Sequence, residues 1–164
     1  MTTTDPRSLS LADLRALRTE LQQQDDVVSY VRRLAQVRLD LVRAARARRS
    51  GGAEPSGDIT GDLSSILSSH LVGGAARPPR PADDFSDHPL ALELEVLCRD
   101  AGGNDVDALD DAELAEYEQR LSAWESARSS ERKELFGRID ALSAELVRRY
   151  RDGEADPTGL LADD

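Results

Sequence analysis

The sequence predicts an all-α protein in which two long helices pair as a coiled coil and are joined by a long, partly helical linker. Two segments, residues 10–49 and 109–151, contain no proline and carry apolar residues at steps of three and four. Aromatic residues make up only 4 % of the 164 residues and charged residues 32 %, as in coiled coils rather than thick globular cores. Residues 9–50 also align with residues 109–150 without a gap, which indicates that one helix has been duplicated.

The first helix is predicted over residues 10–49. Ser10 is a favourable N-cap with Asp13 at the third helical position, and Ser50-Gly51 ends the helix. Its apolar stripe is Leu14, Leu17, Leu21, Val28, Val31, Leu34, Ala35 and Val42.

The second helix is predicted over residues 109–151. Asp110 and Glu113 repeat the capping pattern, and Gly153 follows the end of the helix. Its apolar stripe is Leu114, Tyr117, Leu121, Trp124, Leu135, Ile139, Leu142 and Leu146.

The second stripe has a gap between Trp124 and Leu135. Arg128 and Glu131 occupy the expected apolar positions there. A purely structural coiled coil would be weakened at this point, so another group is expected to fill or cover the gap.

The rest of the chain divides around these helices. Residues 50–108 form a linker in which 62–72 and 89–101 are candidate short helices. The linker is long enough for either parallel or antiparallel pairing. The flanking segments are an N-terminal tail, residues 1–9, and an acidic C-terminal tail, residues 152–164.

The net charge of −11 is unevenly distributed along the chain. Residues 1–50 carry ten basic and six acidic residues, whereas residues 51–164 carry eleven basic and 26 acidic residues. The two helical ends can therefore attract each other. A net acidic chain argues against direct DNA binding, which draws on many Lys and Arg contacts to phosphate, and favours a protein partner with basic surfaces.

Other function classes receive little support. No apolar run is long enough for a membrane span, and no signal peptide is visible, so the expected location is cytoplasmic. Cys98 is the only thiol and His70 and His88 are isolated, so no metal site is expected. The sequence shows no glycine-rich phosphate loop and no nucleophile beside a base, so no enzymatic activity is expected.

Five polar-face positions recur in both helices. Their spacing confines them to an arc of about 80° beside the apolar stripe. If the helices pair antiparallel and flush, the two sets cross at the middle, with the arginines near a pseudo-two-fold axis. The first set is Asp25, Ser29, Arg32, Gln36 and Asp40, and the second is Glu125, Ser129, Arg132, Phe136 and Asp140.

These residue types can recognise guanine. A carboxylate accepts from N1–H and N2–H on the Watson–Crick edge of guanine, whereas adenine presents an acceptor at N1. An arginine donates to guanine O6 and N7, stacks on a purine, or pairs with phosphate. Two such sets suit a two-fold molecule with two guanines and two phosphates.

The spacing resembles that of the RsiG family of actinobacterial anti-sigma factors. That family carries E-x3-S-x2-R-x3-Q-x3-D on each long helix of an antiparallel coiled coil. The first copy here has Asp25 at the glutamate position, and the second has Phe136 at the glutamine position. Residues 141–150 (ALSAELVRRY) also resemble the end of that family.

The resemblance implies that the fold is an antiparallel two-helix coiled-coil hairpin with a long, partly helical linker. It also implies an anti-sigma factor that binds cyclic di-GMP as a pair and then holds a sporulation sigma factor of the WhiG type. Phe136 would either stack on a base or pack into the seam. The alternative is a ligand-independent helical adaptor or dimerisation module, in which the polar repeat is a relic of duplication.

The resemblance assigns roles to the motif side chains. Arg32, Arg132, Asp40 and Asp140 would be the principal base and phosphate contacts, Ser29 and Ser129 would support them, and Asp25, Glu125 and Gln36 would frame the site. Whether one nucleotide or a stacked pair is bound stays open. The sigma-binding surface also stays open, the candidates being the outward faces of both helices and residues 62–72.

Two further interpretations concern residues outside the repeat. Trp124 is expected to anchor the seam rather than to stack on a base. The basic run after residue 42 is expected to be a solvated helix end that complements the helix dipole, or else to engage an acidic partner; it consists of Arg43, Arg46, Arg48 and Arg49.

Overall fold

The computed structural model describes residues 5–51 and 84–153, and within these ranges the chain is helical with no strand. After a 3-10 helix, Pro6–Ser8, come α1, Leu11–Ser50; α2, Pro89–Asp100; and α3, Asp111–Arg151. The all-α prediction is confirmed. The candidate helix at residues 62–72 lies outside the described residues.

Both long helices begin with the capping interaction that the sequence predicts. The Ser10 hydroxyl accepts from the backbone N–H of Asp13 at 3.1 Å and donates to its carboxylate at 2.6 Å. The Asp110 carboxylate accepts from the N–H groups of Ala112 and Glu113, each at 2.8 Å. The N–H of Asp110 donates in return to the Glu113 side chain at 2.7 Å. These bonds satisfy donors that would otherwise lack a partner in the first turn of a helix.

The helix α2 is also fixed by local sequence. Pro89 stands at its first position, and His88 caps it by accepting from the N–H of Leu90 at 3.2 Å. Gly102, with a φ of 71°, ends the helix in a left-handed conformation that glycine adopts without strain.

The chain forms two compact units. Among the described residues, the central unit comprises 29–51 and 84–129, and the terminal unit comprises 5–28 and 130–153. In each unit, part of α1 packs against the part of α3 that lies far from it in sequence, as in an antiparallel hairpin. None of the helices in the described ranges has the length and apolarity needed to cross a membrane.

The core of the central unit draws on three helices. The inner face of α2, which includes the fully buried Leu94, packs with residues of α1 and α3. Burying a large apolar side chain contributes about 1.5–3 kcal/mol, so α2 adds appreciably to this core. The cluster is Val31, Ala35, Leu39, Val42, Ala91, Leu94, Cys98, Leu114, Tyr117, Leu121 and Trp124.

Close packing under Tyr117 requires a glycine in the turn before α3. A Cβ atom at Gly103 would meet the Tyr117 hydroxyl and would lie 2.9 Å from the backbone carbonyl oxygen of Cys98. Burial raises the pKa of Tyr117 far above its usual value, helped by a hydrogen bond with Cys98. Cys98 is itself buried and accepts from Arg38 Nη1 at 2.9 Å.

The basic end of α1 is paired within the central unit. Arg43 Nε lies 3.1 Å from Glu118 Oε1, and Arg46 also pairs with Glu118. Burial alone would raise the pKa of Glu118, but the hydrogen bonds from these arginines outweigh it and lower that pKa. Arg49 Nη1 donates to the carbonyl of Leu109 at 2.6 Å. These partly exposed arginines therefore join α1 to the beginning of α3 in addition to complementing the helix dipole.

The terminal unit has a narrower apolar core and a polar network at its end. Hydrogen bonds from Arg148 and Arg149 lower the pKa of the Glu145 carboxyl to about 2. Arg149 Nη2 also donates to the carbonyl of Arg7 at 3.2 Å, which fixes the 3-10 helix. The buried apolar residues of this unit are Leu14, Leu21, Val28, Leu135, Ile139, Leu142 and Leu146.

Candidate ligand-binding site

The ten predicted site residues all lie on α1 and α3, and the two units divide them. Each unit holds residues of both motif copies, because the helices run antiparallel. The central unit contains Ser29, Arg32, Gln36, Asp40, Glu125 and Ser129, and the terminal unit contains Asp25, Arg132, Phe136 and Asp140.

A single carboxylate oxygen organises the set in the central unit. Glu125 Oε1 accepts from Arg32 Nη1 at 3.3 Å and from Gln36 Nε2 at 3.0 Å. It also accepts from Ser129 Oγ at 2.9 Å, one turn along α3. The side chains of Arg32 and Glu125 are only 21 % and 18 % exposed, so the ion pair is partly shielded from water. Four predicted residues from two helices thus meet at one point.

Arg32 retains a donor that the described part of the chain does not satisfy. Its Nε is buried and has no hydrogen-bond partner among the described residues. A buried donor without an acceptor costs about 1–3 kcal/mol. A ligand acceptor at this nitrogen would remove that cost.

Two other motif residues of the central unit differ in their burial. Ser29 is buried, at 7 % exposure. Asp40 is half-buried, with Oδ1 3.8 Å from Arg43 Nη1. Ser29 therefore belongs to the interior of the helix pair, whereas Asp40 lies closer to its surface.

The terminal unit contains the acid of the first motif copy and the arginine of the second copy. Asp25 Oδ1 lies 3.4 Å from Arg132 Nε, and the Arg132 guanidinium carbon lies 4.5 Å from the centroid of the Phe136 ring. Phe136 is 39 % exposed, so it does not pack into the seam. Asp140 is exposed on the same helix.

The acid–arginine pairs are reciprocal. In the central unit the arginine of copy one meets the acid of copy two, and in the terminal unit the arginine of copy two meets the acid of copy one. Each acid precedes the arginine of its own copy by seven positions, so a single antiparallel register accounts for both pairs. The equal spacing in the two copies is the sequence feature that makes both pairs possible at once, although the sequence alone does not specify the register.

One of the two charged residues in the gap of the apolar stripe, Arg128, contacts the aromatic residue that precedes the gap. Arg128 lies over the Trp124 ring at 5.3 Å, within cation–π range. Trp124 is buried in the core, and its Nε1 donates to Glu93 of α2 at 2.8 Å. Sequence periodicity placed Trp124 and Arg128 on the seam but did not identify Glu93 as a partner of Trp124, because a helical pattern assigns a charged residue of another helix to solvent.

Comparison with protein families adds an independent finding. A family model described as RsiG-like matches residues 2–67 and 100–163, which include both motif copies. No curated protein matches the chain.

Proposed function

The chain belongs to the RsiG-like family, which indicates a regulator of the anti-sigma factor type, and from that premise we propose that it senses cyclic di-GMP. In the proposed mechanism the nucleotide binds through both motif copies. The liganded protein then sequesters a cytoplasmic sigma factor of the WhiG type, which controls sporulation or flagellar genes, and so blocks transcription. No catalytic step is involved.

The observation that carries this proposal is the pair of reciprocal acid–arginine contacts. A duplication that only preserved a coiled coil would need to retain its apolar stripe, not a carboxylate and an arginine that meet across the helices. Here the arginine of each copy pairs with the acid of the other copy, Arg32 with Glu125 and Arg132 with Asp25.

Guanine can replace such an ion pair without leaving either group unsatisfied. Its N1–H and N2–H donate to a carboxylate, while O6 and N7 accept from a guanidinium. The base would therefore lie between Glu125 and Arg32, or between Asp25 and Arg132, and bond to both. Adenine would place its N1 acceptor against the carboxylate and would be rejected. A cyclic dinucleotide supplies two guanines for two pairs, and its phosphates supply acceptors for the arginines.

The charge distribution supports a protein partner rather than DNA. The net charge of −11 repels nucleic acid and attracts basic surfaces, which DNA-binding proteins such as sigma factors present. Since the nucleotide would break the interhelical ion pairs and form new bonds to both helices, it would change the surface that the partner meets.

Calorimetric titration tests the ligand. Cyclic di-GMP is titrated into the full chain, with and without the sigma factor, and cyclic di-AMP is the control. We expect saturable binding of the guanine form only, at one or two nucleotides per chain. Absence of binding in both settings would contradict the proposal.

A matched variant tests the alternative adaptor function, which the internal pairing of the motif side chains also fits. Arg32→Ala with Arg132→Ala should abolish nucleotide binding and nucleotide-dependent capture of the sigma factor while helicity is retained. Arg33→Ala with Arg138→Ala, on exposed positions of the same helices, is the control. Unchanged sigma capture by the motif variant would favour the adaptor.

A further inference from the structure

We propose that Phe136 is a positioning residue that holds Arg132 for the ligand by stacking, in place of the hydrogen bonds that hold Arg32. This inference rests on the proposed function, in which Arg132 contacts the nucleotide. It assigns Phe136 neither of the roles expected from sequence, base stacking or packing in the seam.

The contact itself is well defined. The guanidinium carbon of Arg132 lies 4.5 Å from the ring centroid, inside the range of about 6 Å for a cation–π interaction. The two residues are four apart on α3 and so share one helix face. Phe136 is 39 % exposed and is not part of the buried core, and the guanidinium of Arg132 is a specific contact of its ring.

In the central unit, a hydrogen bond takes the place of this ring contact. There the residue equivalent to Phe136 is Gln36, which donates to Glu125 Oε1 at 3.0 Å, the same oxygen that accepts from Arg32. Gln36 therefore helps to hold the carboxylate that holds the arginine. A phenyl ring makes no such hydrogen bond, so it supports Arg132 directly.

Asp25, the other residue that departs from the repeated motif, also contacts Arg132. Asp25 is one methylene shorter than Glu125 and reaches Arg132 at Nε, 3.4 Å away, whereas Glu125 reaches the Nη1 end of Arg32. A shorter acid holds one edge of the guanidinium and the ring supports one face. An arginine stacked in this way still donates from the rest of its planar edge. The Asp25 and Phe136 positions are therefore coupled through Arg132.

The test uses the full chain and measures cyclic di-GMP affinity by calorimetry, in the presence of the sigma factor if binding requires it. We expect Phe136→Leu, which keeps apolar volume but removes the aromatic face, to weaken binding roughly fivefold. Phe136→Tyr should bind within about twofold of the unmodified chain, as a conservative rescue. Phe136→Gln should weaken binding, and adding Asp25→Glu to it should restore binding, because the two changes recreate the central set.

A second measurement reports on the position of Arg132 without any nucleotide. The Nε–H signal of Arg132 in ¹H–¹⁵N spectra should show a ring-current shift in the unmodified chain and in Phe136→Tyr, and should lose it in Phe136→Leu. Such a signal would not respond to a purely structural role of Phe136 elsewhere in the unit.

The outcomes separate the two proposals. If the unmodified chain binds cyclic di-GMP and Phe136→Leu and Phe136→Gln bind equally well, the positioning role is wrong and the proposed function stands. If the unmodified chain does not bind, alone or with its partner, the proposed function fails, and this inference fails with it.

Discussion

The central and terminal units use one repeated motif on two different supports. In the central unit, Glu125 accepts three side-chain hydrogen bonds, and the helices that carry it share a core with α2. In the terminal unit, a shorter acid meets an arginine supported by a ring, and only α1, α3 and the 3-10 helix are present among the described residues. An acid and an arginine of the repeated motif therefore pair in both units, but different neighbouring side chains contact each pair.

The largest expected effect comes from weakening the packing of α2 in the core of the central unit. Leu94 of α2 is 1 % exposed, so Leu94→Ala should lower the free energy of unfolding by about 2–5 kcal/mol through lost burial and a cavity. Urea denaturation followed by circular dichroism measures it. Leu92→Ala, at a position of α2 that is 50 % exposed, is the control and should change the free energy by less than about 0.5 kcal/mol. Equal losses would show that α2 does not support the central core.

The next effect compares the two acids. Glu125→Ala should lower the free energy of unfolding by about 1–3 kcal/mol, because Arg32, Gln36 and Ser129 all lose their acceptor. Asp25→Ala should cost less than about 1 kcal/mol, because its ion pair with Arg132, at 3.4 Å, is partly exposed to solvent. The same urea titrations decide this, and a greater loss for Asp25→Ala would reverse the ranking of the two sets.

A smaller effect concerns the end of the terminal unit. Arg15 donates to the Tyr150 hydroxyl at 2.6 Å and 3.1 Å, so Tyr150→Phe should cost about 0.5–1.5 kcal/mol and speed amide hydrogen exchange near both residues. Tyr30→Phe is a matched control in the central unit, where the Tyr30 ring packs edge-on against Phe85. Exchange that is equally fast in both variants would contradict a specific role for the Arg15 contact.

The last effect emerges only in acid. Glu145 has a pKa of about 2 in the folded chain, against 4.5 ordinarily, because Arg148 and Arg149 donate to it. Its contribution to stability is therefore complete above about pH 4.5 and is lost as the pH falls through about 2. Glu145→Gln should flatten the fall of the melting temperature over that interval. A variant that loses stability on acidification as steeply as the unmodified chain would exclude this carboxyl as a cause.

Local signals explain why the helices were predictable. Ser10, Asp110 and the glycines that follow the helices act within a few residues. The observed bounds of α1 and α3 lie within two residues of the predicted ones, and the end of α3 is the same. The polar face of the repeat also followed from the helical period. Both depend on sequence neighbours alone.

Contacts across the helices were not predictable in the same way. The pairing of Arg32 with Glu125 depends on the axial register, and the packing of α2 depends on which of its faces the other helices accept. The stacking of Phe136 under Arg132 depends on rotamers that a sequence pattern does not specify. Register and rotamers are tertiary properties, so the sequence indicated the candidate residues and their shared helix face, and the structure supplied their partners.

The bond from Arg149 to the carbonyl of Arg7 has a consequence for the order of folding. It joins residues 142 positions apart, whereas the bond from Arg32 to Glu125 joins residues 93 apart. Contacts between distant residues form more slowly, because more chain entropy is lost on closure. The central contacts should therefore form first, and their formation shortens the loops that remain open. The beginning of α1 and the end of α3 would then assemble last and open first. Amide exchange at these residues should therefore report fluctuations of the native state.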